Sequence, residues 1–315
     1  MYFQRTVKKE IVCKSVGLHS GRKVAMVIKP ADVDHGIVFV RTDLPGNNRI
    51  RANVHNVIDT TLATTLGFNG GTVSTVEHLL SAFSGMGVDN VVIEVDAPEL
   101  PIMDGSAKPF VELLKSVGTR MQDKVKKLLV IRKKVSVSEG EGTAMFIPSP
   151  EFQITYSIEF KHKAIGFQSY HFKFSDILYE RDISAARTFG FLSDVEYLQA
   201  RGLALGGSLQ NAIVLDKGRI LNKEGLRFPD EFVRHKILDS IGDLSLLGVP
   251  IIGHFVASKS GHRLNNMLLK ELLFRQECWS IVDDFRKDEV PGNTEKLRVP
   301  SFRVLDSAPA SSYAI

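Results

Sequence analysis

His235 and Asp239 stand four residues apart in the stretch Glu231-Phe-Val-Arg-His-Lys-Ile-Leu-Asp-Ser-Ile-Gly-Asp243. On a helix, that spacing sets an imidazole and a carboxylate about 6 Å apart along the axis on nearly the same azimuth, so both can converge on one atom between them. This is a metal-chelating geometry. A solitary His-x-x-x-Asp is more often a surface hydrogen bond, so the surrounding residues carry the argument. Lys236 flanks the same face, and a second histidine closes the acidic stretch Thr75-Val-Glu-His78. Two histidines with one carboxylate make a catalytic zinc set, His78, His235 and Asp239. Fe2+ accepts the same donors.

Glu77 admits two readings. Ser74-x-x-Glu77 has the form of a capping box, in which the carboxylate folds back on a backbone N–H at the helix start. Beside a metal-ligand histidine, the same carboxylate can instead take a proton from water whose pKa zinc lowers to roughly 7. A hydrolysis that expels an amine also needs an acid. His262, in Ser-Gly-His-Arg-Leu-Asn-Asn, is expected in a turn overhanging a cleft, where Asp243 could hold its protonated imidazole. His19, in Val-Gly-Leu-His-Ser-Gly, competes for that role, and spacing alone does not separate the two. His35, His55, His162, His171 and His254 lack an acidic or helical partner at useful spacing and read as structural.

The elements that must position these groups follow from period and punctuation. Val233, Ile237, Ile241 and Leu244 share one helical arc, opposite His235, Asp239 and Asp243, which predicts a helix from Glu231 to Leu247 ending at Gly248. A first helix is expected over 74–84 before Gly85 and Gly87, and another over 109–117. Residues 1–70 read as strands of one antiparallel sheet, and 88–95 as a buried strand. The polar, basic run 122–127 reads as a linker. Strand patterns resume at 128–137, 143–148 and 152–160, then the long helix, a strand at 250–258 and a helix over 264–278. The order of the first half thus recurs in the second, with His78 and His235 each on the first helix of its unit. The expected fold is α+β. It comprises two similar two-layer sheet-plus-helix domains, 1–122 and 128–283, packed face to face with the site in the cleft between them. The second carries a small βαβ-like insertion, 191–228, and 284–315 is expected to be a disordered tail.

Composition narrows the class. The chain has 315 residues, 43% of them hydrophobic, enough for two cores. Its 40 basic and 36 acidic residues leave a net charge of +4, too mild to imply nucleic acid as a partner. Two cysteines do not make a disulfide framework. No apolar run reaches a membrane span, and the start Met-Tyr-Phe-Gln-Arg lacks the form of a secretory leader. A cytoplasmic monomer without integral membrane contact is expected.

Six motifs occur together in one order: Val16-Gly-Leu-His-Ser-Gly21, Ser74-Thr-Val-Glu-His78, Pro101-Ile-Met-Asp-Gly-Ser106, Ala186-Arg-Thr-Phe-Gly-Phe191, Phe232-Val-Arg-His-Lys-x-Leu-Asp239 and Ser260-Gly-His262. Over roughly residues 2–280 the chain resembles the UDP-3-O-acyl-N-acetylglucosamine deacetylases of lipid A biosynthesis. The resemblance implies that zinc is held by His78, His235 and Asp239, that Glu77 is the general base, and that His262 is the acid oriented by Asp243. It also implies Thr188 at the developing oxyanion, Lys236 and Phe189 on the substrate, and a hydrophobic passage for the acyl chain formed by the insertion. Phe191 opens that insertion and Leu203 is an expected lining residue. The implied substrate is a UDP-sugar bearing an acyl chain, from which acetate is released. One departure is Ala63, where several relatives have a cysteine close to the metal, so a thiol bridge to further zinc is excluded here. The competing reading, of a different class, is a metal-bearing protein that captures a nucleotide-linked ligand without turning it over, with Glu77 a cap and His262 a loop residue.

Overall fold

Alternation of buried and exposed side chains, as at Val24, Met26 and Ile28, makes one-sided strands that must be covered on their apolar face. In the computed structural model, which describes residues 3–46 and 48–283, these strands form two five-stranded sheets of the same order. The first runs Ile11–Val16, Lys23–Pro30, Val91–Val95, Ile37–Arg41, Arg49–Arg51. The second runs Val135–Glu139, Gly142–Ile147, His254–Ser258, Gln153–Glu159, Phe167–Lys173. In each, the last strand in sequence enters between two hairpins, antiparallel to one neighbour and parallel to the other. The α+β expectation holds, and the repeat read from the sequence reappears as this shared strand order.

Several expected details differ. Residues 1–70 do not form one antiparallel sheet. Their strands enter the mixed first sheet, a three-stranded sheet of Val57–Asp59, Thr65–Phe68 and Gly71–Val73, and a pair formed by Phe3–Val7 with Thr119–Val125. That last strand occupies most of the stretch read as a linker, and its mostly exposed residues explain the polar composition. The run 128–137 splits into Leu128–Ile131 and Val135–Glu139, which belong to different sheets. The tail 284–315 lies outside the described residues.

Six helices are described: α1 (Glu77–Met86), α2 (Lys108–Val117), α3 (Asp176–Asp182), α4 (Leu192–Gln199), α5 (Glu231–Leu244) and α6 (His262–Phe274). α3 has no counterpart in the sequence reading, although Ser175 caps it by accepting from the Leu178 N–H. α5 is followed by a tight turn, Ser245–Leu247, closed by Gly248 in the left-handed conformation. α6 starts two residues earlier than expected, which places His262 on its first turn instead of in the preceding loop.

α1 and α5 pack against each other. The contact is backbone to backbone: a Cβ at Gly242 would lie 2.0 Å from the Glu77 carbonyl oxygen. Only hydrogen fits there. Val233, Ile237, Ile241 and Leu244 are buried as the period predicted, yet His235, Asp239 and Asp243 on the opposite face are buried too. That second face is covered because the other central helix lies across it.

The insertion is a βαβ unit. Phe189–Phe191 pairs in parallel with Ile213–Asp216, α4 lies between them, and Arg219–Ile220 adds an antiparallel edge. Its following loop reaches back to the first half of the chain. The N–H groups of Leu205 and Gly206 donate to the carbonyls of His19 and Leu18 at 3.1 and 3.0 Å. A Cβ at Gly206 would meet the Gly17 carbonyl oxygen at 2.1 Å.

Gly242→Ala is expected to force α1 and α5 apart, with an overpacking cost of about 1–3 kcal/mol. Thermal unfolding should show a clear drop in Tm; an unchanged Tm would mean that the two helices can shift without loss.

Candidate active site and metal centre

The close approach of α1 and α5 brings together residues far apart in sequence. His78 on the first turn of α1 faces His235 on α5, ring centroids 5.1 Å apart and edge to face. Asp239, one turn beyond His235, places Oδ1 3.5 Å from His78 Nε2 and 3.3 Å from His235 Nε2. All three side chains are buried, and their donor atoms lie within 4.8 Å of one another.

The hydrogen bonds leave these donors turned inward. His235 Nδ1 meets the Ala186 carbonyl at 3.1 Å, which fixes the proton on Nδ1 and the lone pair on Nε2. Asp239 Oδ2 accepts from Lys236 Nζ at 2.9 Å, whereas Oδ1 is buried without a hydrogen-bond partner among the described residues. A buried bare carboxylate oxygen beside imidazole nitrogens is a costly arrangement unless a cation fills it. The donor set, two nitrogens and one oxygen, fits a zinc ion. His78 Nδ1 has no hydrogen-bond partner among the described residues, so of the two rings only His235 is seen braced from behind.

Electrostatics sort the protonation states. Burial drives the His235 pKa down to about 3, opposing Asp239, so the ring is neutral. Burial alone would raise Asp239, but the Lys236 ammonium beside it holds it well below the usual carboxylate range. Lys236 likewise stays charged, because Asp239 outweighs the burial that opposes its charge.

A second group stands beside the first. Glu77 is the first residue of α1, and burial raises its pKa. The capping box does not form: no side chain caps this helix, and Ser74 lies outside it, accepting from Thr65 Oγ1. Glu77 instead accepts from the Thr64 N–H at 3.1 Å and lies 3.8 Å from His262 Nε2. His262 Nδ1 contacts Asp243 at 2.8 Å. Burial, which opposes the charged ring, is overcome by Asp243 and Glu77, and the imidazole pKa is pushed up to about 10. His19, the competitor, also lines the pocket, but its Nδ1 is buried without a hydrogen-bond partner among the described residues, and burial, opposed by Glu99, lowers its pKa.

The surrounding cavity, ≈ 120 Å³, has on its walls Glu77, His78, Thr188, Phe189, His235, Lys236, Asp239 and His262 among the expected residues. Ala63 lines it too. Asp243 sits behind His262, in keeping with an orienting position. Phe191 and Leu203 do not line it. Phe191 stands one layer back, its ring 6.0 Å from Phe160 and 5.5 Å from His162. Phe189 joins the two regions, packing on Phe232 at 4.9 Å and on His235 at 6.3 Å, with Lys236 Nζ 5.9 Å from its ring centre. The Thr188 N–H donates to Gly105 and its carbonyl accepts from Ile213, so the hydroxyl is the group it has left to offer.

Sequence reasoning missed four residues that hold this arrangement. Thr64 bridges the two acids, its N–H on Glu77 and its hydroxyl on Asp243 at 2.6 Å. Asn265 donates to Asp243 at 2.8 Å. Glu99, buried, accepts from the N–H groups of His19 and Ser20, both at 2.8 Å, and from Thr75 Oγ1. This braces Thr75, a buried β-branched residue at φ 58, two residues before Glu77. Arg187, paired with Glu231 in the core, fixes the segment whose Ala186 carbonyl holds His235. Arg187 and Asn265 lie inside motifs already singled out and Glu99 between two prolines, but nothing in those stretches names the partner each one holds.

A sequence profile of the family described as UDP-3-O-acyl N-acetylglycosamine deacetylase matches residues 4–274. The chain belongs to this family. A relative from Syntrophus aciditrophicus, named UDP-3-O-acyl-N-acetylglucosamine deacetylase, is 60% identical over 310 residues, 97% of this chain and 98% of its own. Proteins of the same name from Myxococcus xanthus and Shewanella loihica are 54% and 51% identical, covering 91% and 97% of this chain and 91% and 100% of their own. As a member of the UDP-3-O-acyl N-acetylglycosamine deacetylases the chain is a hydrolase, which sets aside the reading of a ligand-capturing protein without turnover. No helix among the described residues is long and apolar enough to cross a membrane.

Thr64→Val keeps the N–H on Glu77 but strips one donor from buried Asp243, a loss of about 1–3 kcal/mol. Urea unfolding should move to a lower midpoint, and Thr64→Ser should restore it. A Val variant as stable as the parent would remove Thr64 from the bracing network.

Proposed function

We propose that the chain hydrolyses the 2-acetamido group of a UDP-linked, 3-O-acylated glucosamine, the deacetylation step of lipid A biosynthesis, with zinc held by His78, His235 and Asp239. The observation that carries this reading is the bare Asp239 Oδ1 between two imidazole nitrogens, with a raised carboxyl and a charged imidazole alongside. Family membership supplies the substrate class. A zinc ion in this donor set would act as a Lewis acid, acidifying water and polarising the amide carbonyl; Fe2+ is compatible with the same donors.

The chain's own groups divide the proton work. Glu77, its basicity raised by burial, accepts the proton of the attacking water in this reading. His262, kept protonated by Asp243, donates to the leaving amine nitrogen as the tetrahedral centre collapses. Thr188 and Lys236 line the cavity, and in this reading the hydroxyl of the one and the ammonium of the other stabilise the oxyanion and orient the substrate. A monomer is proposed, with the cytoplasm as its compartment.

We further propose the division into 1–122 and 128–283, supported by the shared strand order, with the insertion 191–228 guiding the acyl chain past Phe189, Phe191 and Leu203. The insertion does not use its apolar residues to fill a core of its own. Among Leu192, Leu198, Leu203, Leu205, Leu209, Ile213, Val214 and Leu215, only Ile213 and Leu215 are buried. Leu205 and Leu209 are 52% and 45% exposed, and α4 buries no residue.

Acetate release from the acylated UDP-sugar, measured with metal content on the same samples, tests the assignment. His78→Ala, His235→Ala and Asp239→Ala should each lose stoichiometric zinc while keeping the parent circular dichroism. Glu77→Gln should keep zinc and lose about 10² to 10⁴ in kcat/KM. Full zinc in a ligand variant, or full turnover in Glu77→Gln, would remove that residue from its role.

Each methylene of an acyl chain buried in a passage is worth roughly 0.8 kcal/mol. Long-acyl substrates should therefore exceed unacylated UDP-N-acetylglucosamine in kcat/KM by orders of magnitude. Leu203→Trp should erase that preference while sparing the residual turnover of the unacylated sugar; equal losses on both would end the acyl-passage assignment.

A further inference from the structure

A second cavity, ≈ 370 Å³, opens at the edge strand Arg49–Arg51 of the first sheet, and it shares no lining residue with the catalytic pocket. Arg49, Arg51, His35, Asn53, Asn56 and Phe68 line it. His35 organises both arginines. Its Nδ1 meets the Gly36 carbonyl at 3.0 Å, which leaves Nε2 to accept from Arg49 Nη2 at 3.0 Å. Its backbone carbonyl accepts from Arg51 Nη1 at 3.1 Å. Gly36, at φ 71, sits directly under that guanidinium: a Cβ there would stand 3.2 Å from Arg51 Nη1.

Both guanidiniums are therefore oriented by neutral acceptors. Among the described residues neither meets a carboxylate, whereas nearby Arg41 pairs with Asp43, Lys29 with Glu94 and Lys124 with Asp34. No acidic residue lines the cavity. The Asn53 side-chain oxygen is already taken by the Asn56 N–H, so Asn53 has only its NH2 to offer, another donor. Phe68 supplies a flat apolar wall and is 50% exposed. Two exposed, uncompensated guanidinium forks, each oriented by one hydrogen bond, together with neutral donors match an oxyanion carrying several acceptor atoms. An exposed aromatic face beside them matches a planar ring.

We propose that this cavity binds a phosphate monoester that carries a flat ring, of mononucleotide size, with the phosphate on Arg49 and Arg51 and the ring against Phe68. The volume is at the lower end of the range for small-ligand sites, which favours a mononucleotide over a dinucleotide. Neither arginine belongs to the catalytic machinery, so occupancy and turnover are separable by substitution.

Isothermal titration of the full chain with AMP, adenosine and inorganic phosphate tests this. AMP is expected to bind at one saturable site, at least tenfold tighter than adenosine or inorganic phosphate, and to weaken as salt rises. The double variant Arg49→Ala/Arg51→Ala should lose at least tenfold in AMP affinity while retaining the parent circular dichroism and acetate release. Phe68→Ala should bring AMP down to the affinity of inorganic phosphate. AMP affinity unchanged in the double variant, adenosine binding as tightly as AMP, or inorganic phosphate matching AMP in the parent chain would each overturn the proposal.

Discussion

The contact between the Gly242 hydrogen and the Glu77 carbonyl sets the distance on which the rest of the site depends. A side chain at Gly242 would separate the two central helices, and His78 and Asp239 could no longer share one point. The contact is short-ranged and steric, and it carries no chemistry of its own. Its effect is to convert two separate helix faces, each holding part of a donor set, into one buried cluster. This explains why α5 is buried on both sides: one face seals the sheet and the other meets α1.

Burial then decides the charges. Water is largely excluded, so each ionisable group takes the form its nearest neighbours permit. Lys236 spends its charge on one oxygen of Asp239 and leaves the other bare. Asp243 is contacted three times, by Thr64, His262 and Asn265, and its pull on the imidazole helps to keep His262 charged. That charge persists although His262 stands on the first turn of a helix, where the helix dipole disfavours a cation.

Much of this was legible in the sequence because periodicity reports directly on which side chains share a face. The i, i+4 spacing of His235 and Asp239, the recurrence of the sheet-helix-strand-helix order, and the βαβ pattern after Thr188 all depend on neighbours close in sequence. The capping box at Ser74 failed for a different reason. Its spacing was right, but strand-like pairing of Ser74 with Glu99 pulls the serine out of the helix start. The roles of Thr64, Asn265 and Glu99 were hidden because their partners lie 13 to 179 residues away, as for Thr64 with Glu77 and with Asp243. Small polar residues carry no periodic signature. The antiparallel reading of residues 1–70 erred because the strand that makes the first sheet mixed, Val91–Val95, is supplied only after α1.

The loop that follows α4 has a consequence for how the cleft is reached. Its Leu205 and Gly206 amides are stitched to the Leu18 and His19 carbonyls, and Gly206 rests on Gly17 without room for a methyl. The two halves of the chain are thus fastened at a rim as well as along α1 and α5. A hinge that swung them apart would have to break backbone hydrogen bonds at one edge while unpacking helices at the other. A molecule entering the cleft therefore meets, on this side, a rim closed by backbone hydrogen bonds and not by side chains.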